Sequence, residues 1–203
     1  MDRGSIKERA RFVLRRNRWL SVGMLVAYAL LSSVVGAMTW GLGVLLLMPP
    51  LTVGFLAYWL AIWRGEVVGF EKLFSGFSRY VQSLVAILWM YLWTFLWSLL
   101  FVIPGIIKAL QYFATPYLVA DYPDLNPREA LKLSIRITQG HLMEIFIMNL
   151  SFFGWYFLSA FTAGILAFVH VTPYHQISMA GLYESLLADA LERGVVTEAE
   201  LMA

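Results

Sequence analysis

The chain has 203 residues, of which 60% are hydrophobic and 14% are charged, and its mean hydropathy is +0.71. Soluble domains carry about 25% charged residues, so this composition excludes an ordinary soluble domain and indicates a single-domain membrane protein. The chain contains no cysteine, which excludes disulfides, thiol nucleophiles and thiolate metal sites, and its 3 histidines are too scattered for a histidine metal cage.

Residues 1–18 predict a basic amphipathic helix at the cytosolic membrane surface. Ser5 and Glu8 have the spacing of a capping box, and Ile6, Ala10 and Leu14 follow the helical period. Seven lysine and arginine residues share this segment. Each of them favours anionic lipid by about 1 kcal/mol when it lies near the membrane surface.

A first apolar run follows, with no charged residue between Arg18 and Arg64. As one helix it would be about 67 Å long, about twice the thickness of the hydrocarbon core, so it predicts two membrane passes. Glycine and proline interrupt helices, which predicts the break between Gly41-Leu42-Gly43 and Pro49-Pro50.

A second uncharged run extends from Tyr80 to Ile107, and the apolar pattern resumes after Lys108 as far as Ala120. The pair Pro104-Gly105 marks the turn of this run. The run therefore predicts a second helical hairpin.

The last apolar run lies between Glu144 and Glu184 and is again long enough for two passes. Its break is expected near Gly164 or near Thr172-Pro173. The predicted fold is therefore an all-α polytopic membrane bundle with about six transmembrane helices in three hairpins. The chain forms one membrane domain, with the bundle at residues 19–188 and a cytosolic tail at 189–203.

The charges predict the orientation of this bundle. With the N-terminus in the cytosol, the inner segments are 1–18, 64–80, 121–144 and the tail from residue 184, and they contain all of the 15 lysine and arginine residues except Lys108. Basic residues concentrate on the cytosolic side of membrane proteins. We therefore expect a multi-pass plasma-membrane protein with both termini in the cytosol.

Two short cytosolic segments predict amphipathic helices. One has its apolar residues at helical spacing, namely Phe70, Leu73, Phe74 and Phe77. The other begins with Asn126 as the N-cap and Pro127 in the first turn, and it stops at Gly140. One of its faces carries three basic side chains, those of Arg128, Lys132 and Arg136. These helices are either linkers at the interface or a collar that docks anionic lipid or a protein partner.

Several motifs together resemble a known family. They are Leu73-Phe-Ser-Gly-Phe77, Ile103-Pro-Gly-Ile-Ile-Lys-Ala109, Thr115-Pro-Tyr-Leu-Val-Ala-Asp121, Asn126-Pro-Arg-Glu-Ala-Leu-Lys-Leu-Ser134, Gly140-His141, Ser151-Phe-Phe-Gly-Trp-Tyr156 and Thr172-Pro-Tyr174. The combination resembles the prokaryotic integral membrane family catalogued as domain of unknown function 975, most strongly at residues 66–185. The resemblance implies a multi-pass plasma-membrane protein with no established activity.

No metalloprotease, serine-hydrolase or phosphate-loop motif occurs, so no motif indicates an enzyme, a metal or a cofactor, and we expect none of the three. The absence of these motifs does not exclude an intramembrane enzyme, because such a site can be assembled from separate helices. Lys108 is the most informative ionisable residue because it stands alone between apolar runs. It either anchors the bundle at the outer interface by snorkelling or faces the bundle and contacts a ligand or backbone carbonyls.

Four further ionisable residues are candidates for a ligand site or a polar network. Asp121 and Asp124 either ligate a cation, pair with the basic face of the next helix, or simply form a turn. His141 and Glu144 touch if a helix begins there, because they are three positions apart. The pair either relays a proton or binds a metal, or Glu144 is there only because the helix dipole favours an acid near a helix N-terminus.

The leading hypothesis is a non-enzymatic membrane-organising or accessory protein. Its partners would be membrane lipids with anionic headgroups, a second copy of the chain or another membrane protein, but no nucleic acid. The alternative is a small transporter or channel for a hydrophobic or lipid-like substrate, with Lys108, Gln111 or Asn149 lining a midplane cavity. An intramembrane enzyme is the third hypothesis, and it needs Asp121 to converge with the His141–Glu144 pair.

Overall fold

The computed structural model describes residues 3–38, 42–162 and 164–202, and all regular structure within these ranges is helical. The expectation of an all-α fold is confirmed. The α-helices in chain order are α1 (Arg3–Arg16), α2 (Arg18–Met38), α3 (Leu42–Arg64), α4 (Tyr80–Leu100), α5 (Val102–Gln111), α6 (Thr115–Asp121), α7 (Pro127–Thr138), α8 (Leu142–Ala160), α9 (Thr172–Glu192) and α10 (Glu198–Leu201). A 3-10 helix, Phe70–Phe77, precedes α4, and a π-helical turn, Ala167–Val171, leads directly into α9.

Within the described ranges, five helical stretches are long and apolar enough to cross a membrane, by their length and composition. They are Arg18–Ala37, Gly43–Arg64, Tyr80–Leu100, Val102–Asp121 and Leu142–Ser159. The sequence predicts about six spans, and the helix that falls short is α9. Polar side chains interrupt its apolar residues, among them His175, Gln176 and Glu184.

The first apolar run does not break at its prolines. Residues 39–41, on the glycine side of the predicted break, lie outside the described residues, whereas Pro49 and Pro50 lie inside α3. A proline inside a helix leaves the carbonyl four residues earlier without its N–H partner. The Tyr80 hydroxyl donates to the Leu46 carbonyl at 3.2 Å, which replaces the partner that Pro50 removes. The carbonyl that Pro50 leaves without its N–H partner is therefore hydrogen-bonded.

The second run turns at Phe101 rather than at Pro104-Gly105. Phe101 is extended, with φ −160° and ψ 150°, and it separates α4 from α5. Pro104 lies in the first turn of α5, where the missing N–H has no intrahelical partner to lose. Gly105 lies directly against Ser98, and a Cβ there would overlap that side chain. The glycine therefore serves the close packing of α4 against α5.

The last run turns at Gly164, the first of its two predicted positions. Gly164 has a φ of +81°, a conformation that favours glycine. Pro173 lies beyond this turn, near the N-terminus of α9. The π-helical turn Ala167–Val171 stands directly before the proline, and such irregularities commonly accompany prolines within long helices.

The centre of the bundle is α3. Its Tyr58 and Trp59 are fully buried, and α2, α4, α6, α9 and the 3-10 helix pack around it. Gly54 lets the 3-10 helix approach α3 backbone to backbone, because a Cβ there would overlap the Leu73 carbonyl. The segment Phe70–Phe77, predicted as an interfacial amphipathic helix, therefore contributes Leu73 to the core.

Large apolar side chains are exposed on the outward faces of α2, α4, α5 and α8. Leu30, Leu99, Ile103 and Phe157 are examples, one from each helix. Soluble monomers rarely expose contiguous apolar surface of this extent. The surface is compatible with contact to lipid.

Candidate functional site

The N-terminal helix α1 is held against α9 by an apolar seam. Ile6, Ala10 and Leu14 are buried in this seam and recur at every fourth position, so they share one face of the helix. Basic residues recur with the same spacing on an adjacent face. We call them the basic stripe, which consists of Arg3, Lys7, Arg11, Arg15 and, at the start of α2, Arg18.

The basic stripe faces α8 and the beginning of α9. Lys7 Nζ donates to the Ser151 hydroxyl at 2.6 Å and lies 4.9 Å from the centre of the Phe152 ring. Arg11 Nε donates to the Tyr174 hydroxyl at 3.1 Å. Burial lowers the pKa of Lys7, and the positive charges of its neighbours on the stripe lower it further. Among the described residues, no carboxylate lies within 4.0 Å of a nitrogen of the stripe.

The opposite side of α1 borders a cleft of about 300 Å³ at the C-terminal end of α3. Arg9 donates to the Trp63 carbonyl at 3.1 Å, and its guanidinium carbon lies 4.4 Å from the centre of the Trp63 ring. Arg16 and Asn17 line the same cleft together with Glu66. The Glu66 carboxylate makes this side of α1 less positive than the basic stripe.

Arg64, at the end of α3, joins three helices. Its Nη1 and Nη2 donate to the two carboxylate oxygens of Asp121 on α6, at 2.6 and 2.7 Å, and its Nε donates to Glu184 on α9 at 2.5 Å. The Tyr183 hydroxyl lies 3.4 Å from an Asp121 oxygen. The Asp121 side chain is 11% exposed and that of Arg64 is 35% exposed. This Arg64 network (Arg64, Asp121, Tyr183 and Glu184) occupies both oxygens of the predicted candidate Asp121.

His141 and Glu144 meet at the start of α8, with 3.5 Å between His141 Nδ1 and Glu144 Oε1. Asp189 on α9 completes the group, because its carboxylate lies 3.0 Å from His141 Nε2 and 2.6 Å from Arg193 Nε. Within the described part of the chain, no group of three or more His, Asp or Glu side chains has an arrangement that could hold a metal ion. Asp121 has its contacts in the Arg64 network and not in this group.

Lys108 lies against aromatic rings. Its Nζ is 5.2 Å from the centre of the Trp97 ring and 5.8 Å from that of Tyr112, distances at which a cation is attracted to the ring face. A second contact of this kind, at 5.7 Å, joins the Arg128 guanidinium to Trp89. Trp97 and Trp89 therefore lie where α4 contacts α5 and α7.

Asp124 and part of the basic face of α7 form surface ion pairs. Asp124 pairs with Arg79, and Lys132 pairs with Glu129 at 2.7 Å within the same helix. Both pairs are well exposed, and exposed pairs contribute only about 0–1 kcal/mol to stability. Asp124 and Lys132 therefore lie in exposed surface pairs and not in an enclosed polar network.

Arg136, the third basic residue of α7, docks the C-terminal segment. Its Nη1 lies 2.7 Å from Glu200, and the arginine, with hydrogen bonds from Thr197, lowers the pKa of Glu200 to about 2. Thr197 and Glu200 form the capping box of α10, and Val196 and Leu201 are buried. Arg136 is therefore engaged within the chain.

Two hydroxyls of α7 contact the backbone where the chain is interrupted between α5 and α6. The Ser134 hydroxyl accepts from the Ala114 N–H at 3.1 Å and donates to the Gln111 carbonyl at 2.8 Å. The Thr138 hydroxyl donates to the Ser134 carbonyl of its own helix at 2.8 Å and lies 3.2 Å from the Gln111 carbonyl. Because Ser134 and Thr138 are fully buried, they supply partners that water cannot supply to these backbone groups.

Residues 99–190 match a family model described as Protein of unknown function (DUF975). The chain resembles this family. The resemblance predicted from the motifs is confirmed over a segment that covers α5 to α8 and nearly all of α9. No curated protein and no solved structure matches the chain.

The DUF975 segment contains the side chains that tie α5 to α9 together. Asp121, Ser134, His141 and Glu184 all lie within it, whereas the basic stripe and Arg64 precede it. The family description names no activity, and α1 lies outside the matched segment. The role of α1 must therefore be inferred from its own residues and contacts.

Three charged residues of these networks, Arg64, Glu184 and Asp189, are not predicted as site residues from the sequence. A signal for two of them is nevertheless present. Arg64 and Glu184 are each the first charged residue after an apolar run, as Asp121 is. Charges that end neighbouring spans lie at similar depth, so opposite signs among them predict pairing.

Proposed function

We propose that the protein is a non-enzymatic, multi-pass protein of the plasma membrane, with both termini in the cytosol, that binds anionic lipid headgroups through the basic stripe of α1. Its role is that of a membrane-organising or accessory protein. The observation that carries the proposal is that the basic stripe lies on packed helices and lacks carboxylate partners within the described ranges. Four of its basic side chains belong to the packed helix α1 and the fifth, Arg18, begins α2, and the described residues bring no carboxylate within 4.0 Å of their nitrogens.

The surroundings of the stripe support a position at headgroup level. Trp19, directly after Arg18, is 83% exposed, and tryptophan is enriched where lipid headgroups meet the hydrocarbon. The exposed apolar faces of α2 and α8 lie beside it. Each basic residue near an anionic surface contributes about 1 kcal/mol of attraction, so five together give a substantial preference for anionic lipid.

The basic face of α7 is a weaker candidate for the same role. Lys132 already has Glu129 as its partner, and Arg136 holds Glu200. Arg128 rests on Trp89 and remains available. A comparison between α1 and α7 is therefore the direct test of which surface binds lipid.

The test compares lipid retention by two triple variants of the full-length protein. The first, K7Q/R11Q/R15Q, neutralises the stripe, and the second, K72Q/R128Q/K132Q, removes the same charge elsewhere. Each protein is equilibrated in nanodiscs of phosphatidylglycerol and phosphatidylcholine and extracted, and the ratio of the two bound lipids is measured at low and high salt. We expect the stripe variant to lose its enrichment of the anionic lipid and the control to keep it.

Two results would contradict the proposal. Unchanged enrichment in the stripe variant would mean that α1 does not bind anionic lipid. Loss in the control alone would transfer lipid binding to the basic residues of α7 and of the 3-10 helix Phe70–Phe77.

A small transporter or channel for a hydrophobic or lipid-like substrate is the second candidate. The interruption between α5 and α6 favours it, since broken helices build many transporter sites. Ser134 and Thr138 fill that interruption, which opposes a site there. Movement of a fluorescent lipid or hydrophobic dye in proteoliposomes, above that in empty vesicles, would favour transport.

A further inference from the structure

A cleft of about 490 Å³ lies between α1, α8 and the start of α9. Arg11, Arg15 and Arg18 line it on one side, and Trp155, His170 and Tyr174 on the other. We call it the arginine cleft. Helices rather than long loops form its walls, so its basic groups are held on a rigid support.

Arg11 is anchored at the floor of the cleft. Its Nε donates to the Tyr174 hydroxyl at 3.1 Å, and its guanidinium carbon lies 5.5 Å from the centre of the Tyr174 ring. The His170 ring lies 6.1 Å from the same tyrosine ring. These contacts use one face and one nitrogen of the guanidinium, and its two terminal nitrogens remain for a ligand.

The charges of the cleft are not balanced within the described part of the chain. No carboxylate there lies within 4.0 Å of Arg11, Arg15 or Arg18. Positive charges that line one cleft repel one another, so an anion bound between them relieves this repulsion and forms charge-assisted hydrogen bonds. The planar fork of a guanidinium matches the oxygens of a phosphate group.

The cleft also borders apolar surface. Trp155 is exposed at its edge, and Leu158 and Phe161, further along the chain, are exposed as well. On the other side, Trp19 follows Arg18 and is the most exposed tryptophan of this region. A molecule with its phosphate in the cleft therefore finds apolar helix surface next to it, as the acyl chains of a phospholipid require.

We propose that the arginine cleft binds the headgroup of a phospholipid that ends in a phosphomonoester, in preference to a phosphodiester headgroup. This inference rests on the proposed function and adds to it one site and one class of ligand. A phosphomonoester carries about 1.5 to 2 negative charges at neutral pH, against one for a phosphodiester. Three unbalanced guanidinium groups favour the higher charge.

The test uses native mass spectrometry of the full-length protein with three lipids of identical acyl chains: phosphatidic acid, phosphatidylglycerol and phosphatidylcholine. The variants are R15Q and R16Q, which lose the same charge at adjacent, exposed positions of α1. Arg15 lines the arginine cleft, whereas Arg16 lines the cleft on the opposite side. Neither forms an ion pair with a described residue, so both variants should fold as the parent does.

We expect phosphatidic acid to bind the parent protein about tenfold more tightly than phosphatidylglycerol. R15Q should weaken that binding by about tenfold, the loss expected for one hydrogen-bonded charge, and R16Q by less than about twofold. Equal losses in both variants would overturn the cleft while the proposed function survives. Equal binding of the two anionic lipids would overturn the preference for a phosphomonoester. Displacement of the lipid by equimolar inorganic phosphate would identify a site for free phosphate and overturn the lipid assignment.

Discussion

At the scale of single residues, Asp121 has the least exposed side chain of the ion pairs in the described ranges. Two nitrogens of Arg64 bind its two oxygens, and Tyr183 lies close to one of them. Glu184 engages only the Nε of Arg64. Removal of the Asp121 charge therefore leaves two of the three guanidinium nitrogens of Arg64 without an anionic partner.

We predict that Asp121→Asn lowers the free energy of unfolding by about 1–3 kcal/mol, the cost of a charged group left without its partner. The lower half of that range applies because Arg64 is 35% exposed and water solvates it in part. Denaturant unfolding in detergent micelles measures the change. Asp124→Asn is the matched control, since Asp124 is 65% exposed and should lose no more than about 1 kcal/mol. Equal effects of the two substitutions would contradict the role of the Arg64 network.

The sequence indicates that Asp121 matters but does not identify its partners. Arg64 lies 57 positions before it and Tyr183 lies 62 positions after it. The nearby basic residues of α7, which the sequence offers as an alternative, bind other groups. Local spacing predicts contacts within one helix, such as that of His141 with Glu144, but not contacts between helices whose packing is unknown.

At the scale of elements, α7 is more than a linker at the membrane surface. Its apolar face is buried against α4, α6 and α9, and Ser134 on this face reaches the backbone between α5 and α6. The helix is thus amphipathic and also makes two specific hydrogen bonds through Ser134. Ser134 has a structural reason to stand where it does.

We predict that Ser134→Ala destabilises the fold by about 1–3 kcal/mol, because it leaves the buried Ala114 N–H without an acceptor and weakens the bonding of the Gln111 carbonyl. The Ala114 amide should also exchange its hydrogen faster. Ser185→Ala is the control, since that hydroxyl donates only to the Gly181 carbonyl of its own helix. Similar losses in both variants, with unchanged exchange at Ala114, would refute the bridging role.

Helix positions and the breaks at Gly140 and Gly164 follow from the sequence, whereas the breaks expected at prolines do not. Asn126 caps α7 by accepting from the Arg128 N–H at 3.0 Å, and Gly140 has a φ of +89°, as the capping pattern predicts. Pro50 does not end a helix, and a hydroxyl 34 positions from Leu46 binds the carbonyl that the proline leaves without its N–H partner. A rule based on the local effect of proline cannot include a partner contributed by another helix.

At the scale of the whole molecule, the contact of α1 with α8 constrains how deep α8 enters a membrane. Arg3 and Lys7 lie near Ile147 and Ser151, and Arg18 lies near Trp155. A basic residue at the centre of the hydrocarbon costs about 2.5–3.5 kcal/mol on insertion scales. Five of them cannot share that depth, so the proposed membrane placement predicts that the part of α8 beside the stripe lies at headgroup level and that only its C-terminal part lies in hydrocarbon.

Cysteine labelling tests this depth, and the chain has no cysteine of its own to interfere. We predict that Ile147→Cys reacts with a membrane-impermeant maleimide from the side at which α1 lies, whereas Phe157→Cys does not react. Both positions are exposed on the protein surface, so lipid alone makes the difference. If neither cysteine reacts, α8 is in hydrocarbon from its first turns and α1 cannot lie against it in the membrane.

The serine hydroxyl that joins α5 to α6 belongs to a part of the chain that is synthesised later than the backbone it serves. Ser134 follows Ala114 by 20 residues. Until it arrives, the N–H and carbonyl groups at the junction have no partner, and each such group costs several kcal/mol in hydrocarbon. The segment Val102–Asp121 is long and apolar enough to cross a membrane, but it does not satisfy its own backbone hydrogen bonds at Gln111 and Ala114. We therefore expect the insertion of Val102–Asp121 to depend on the later arrival of α7.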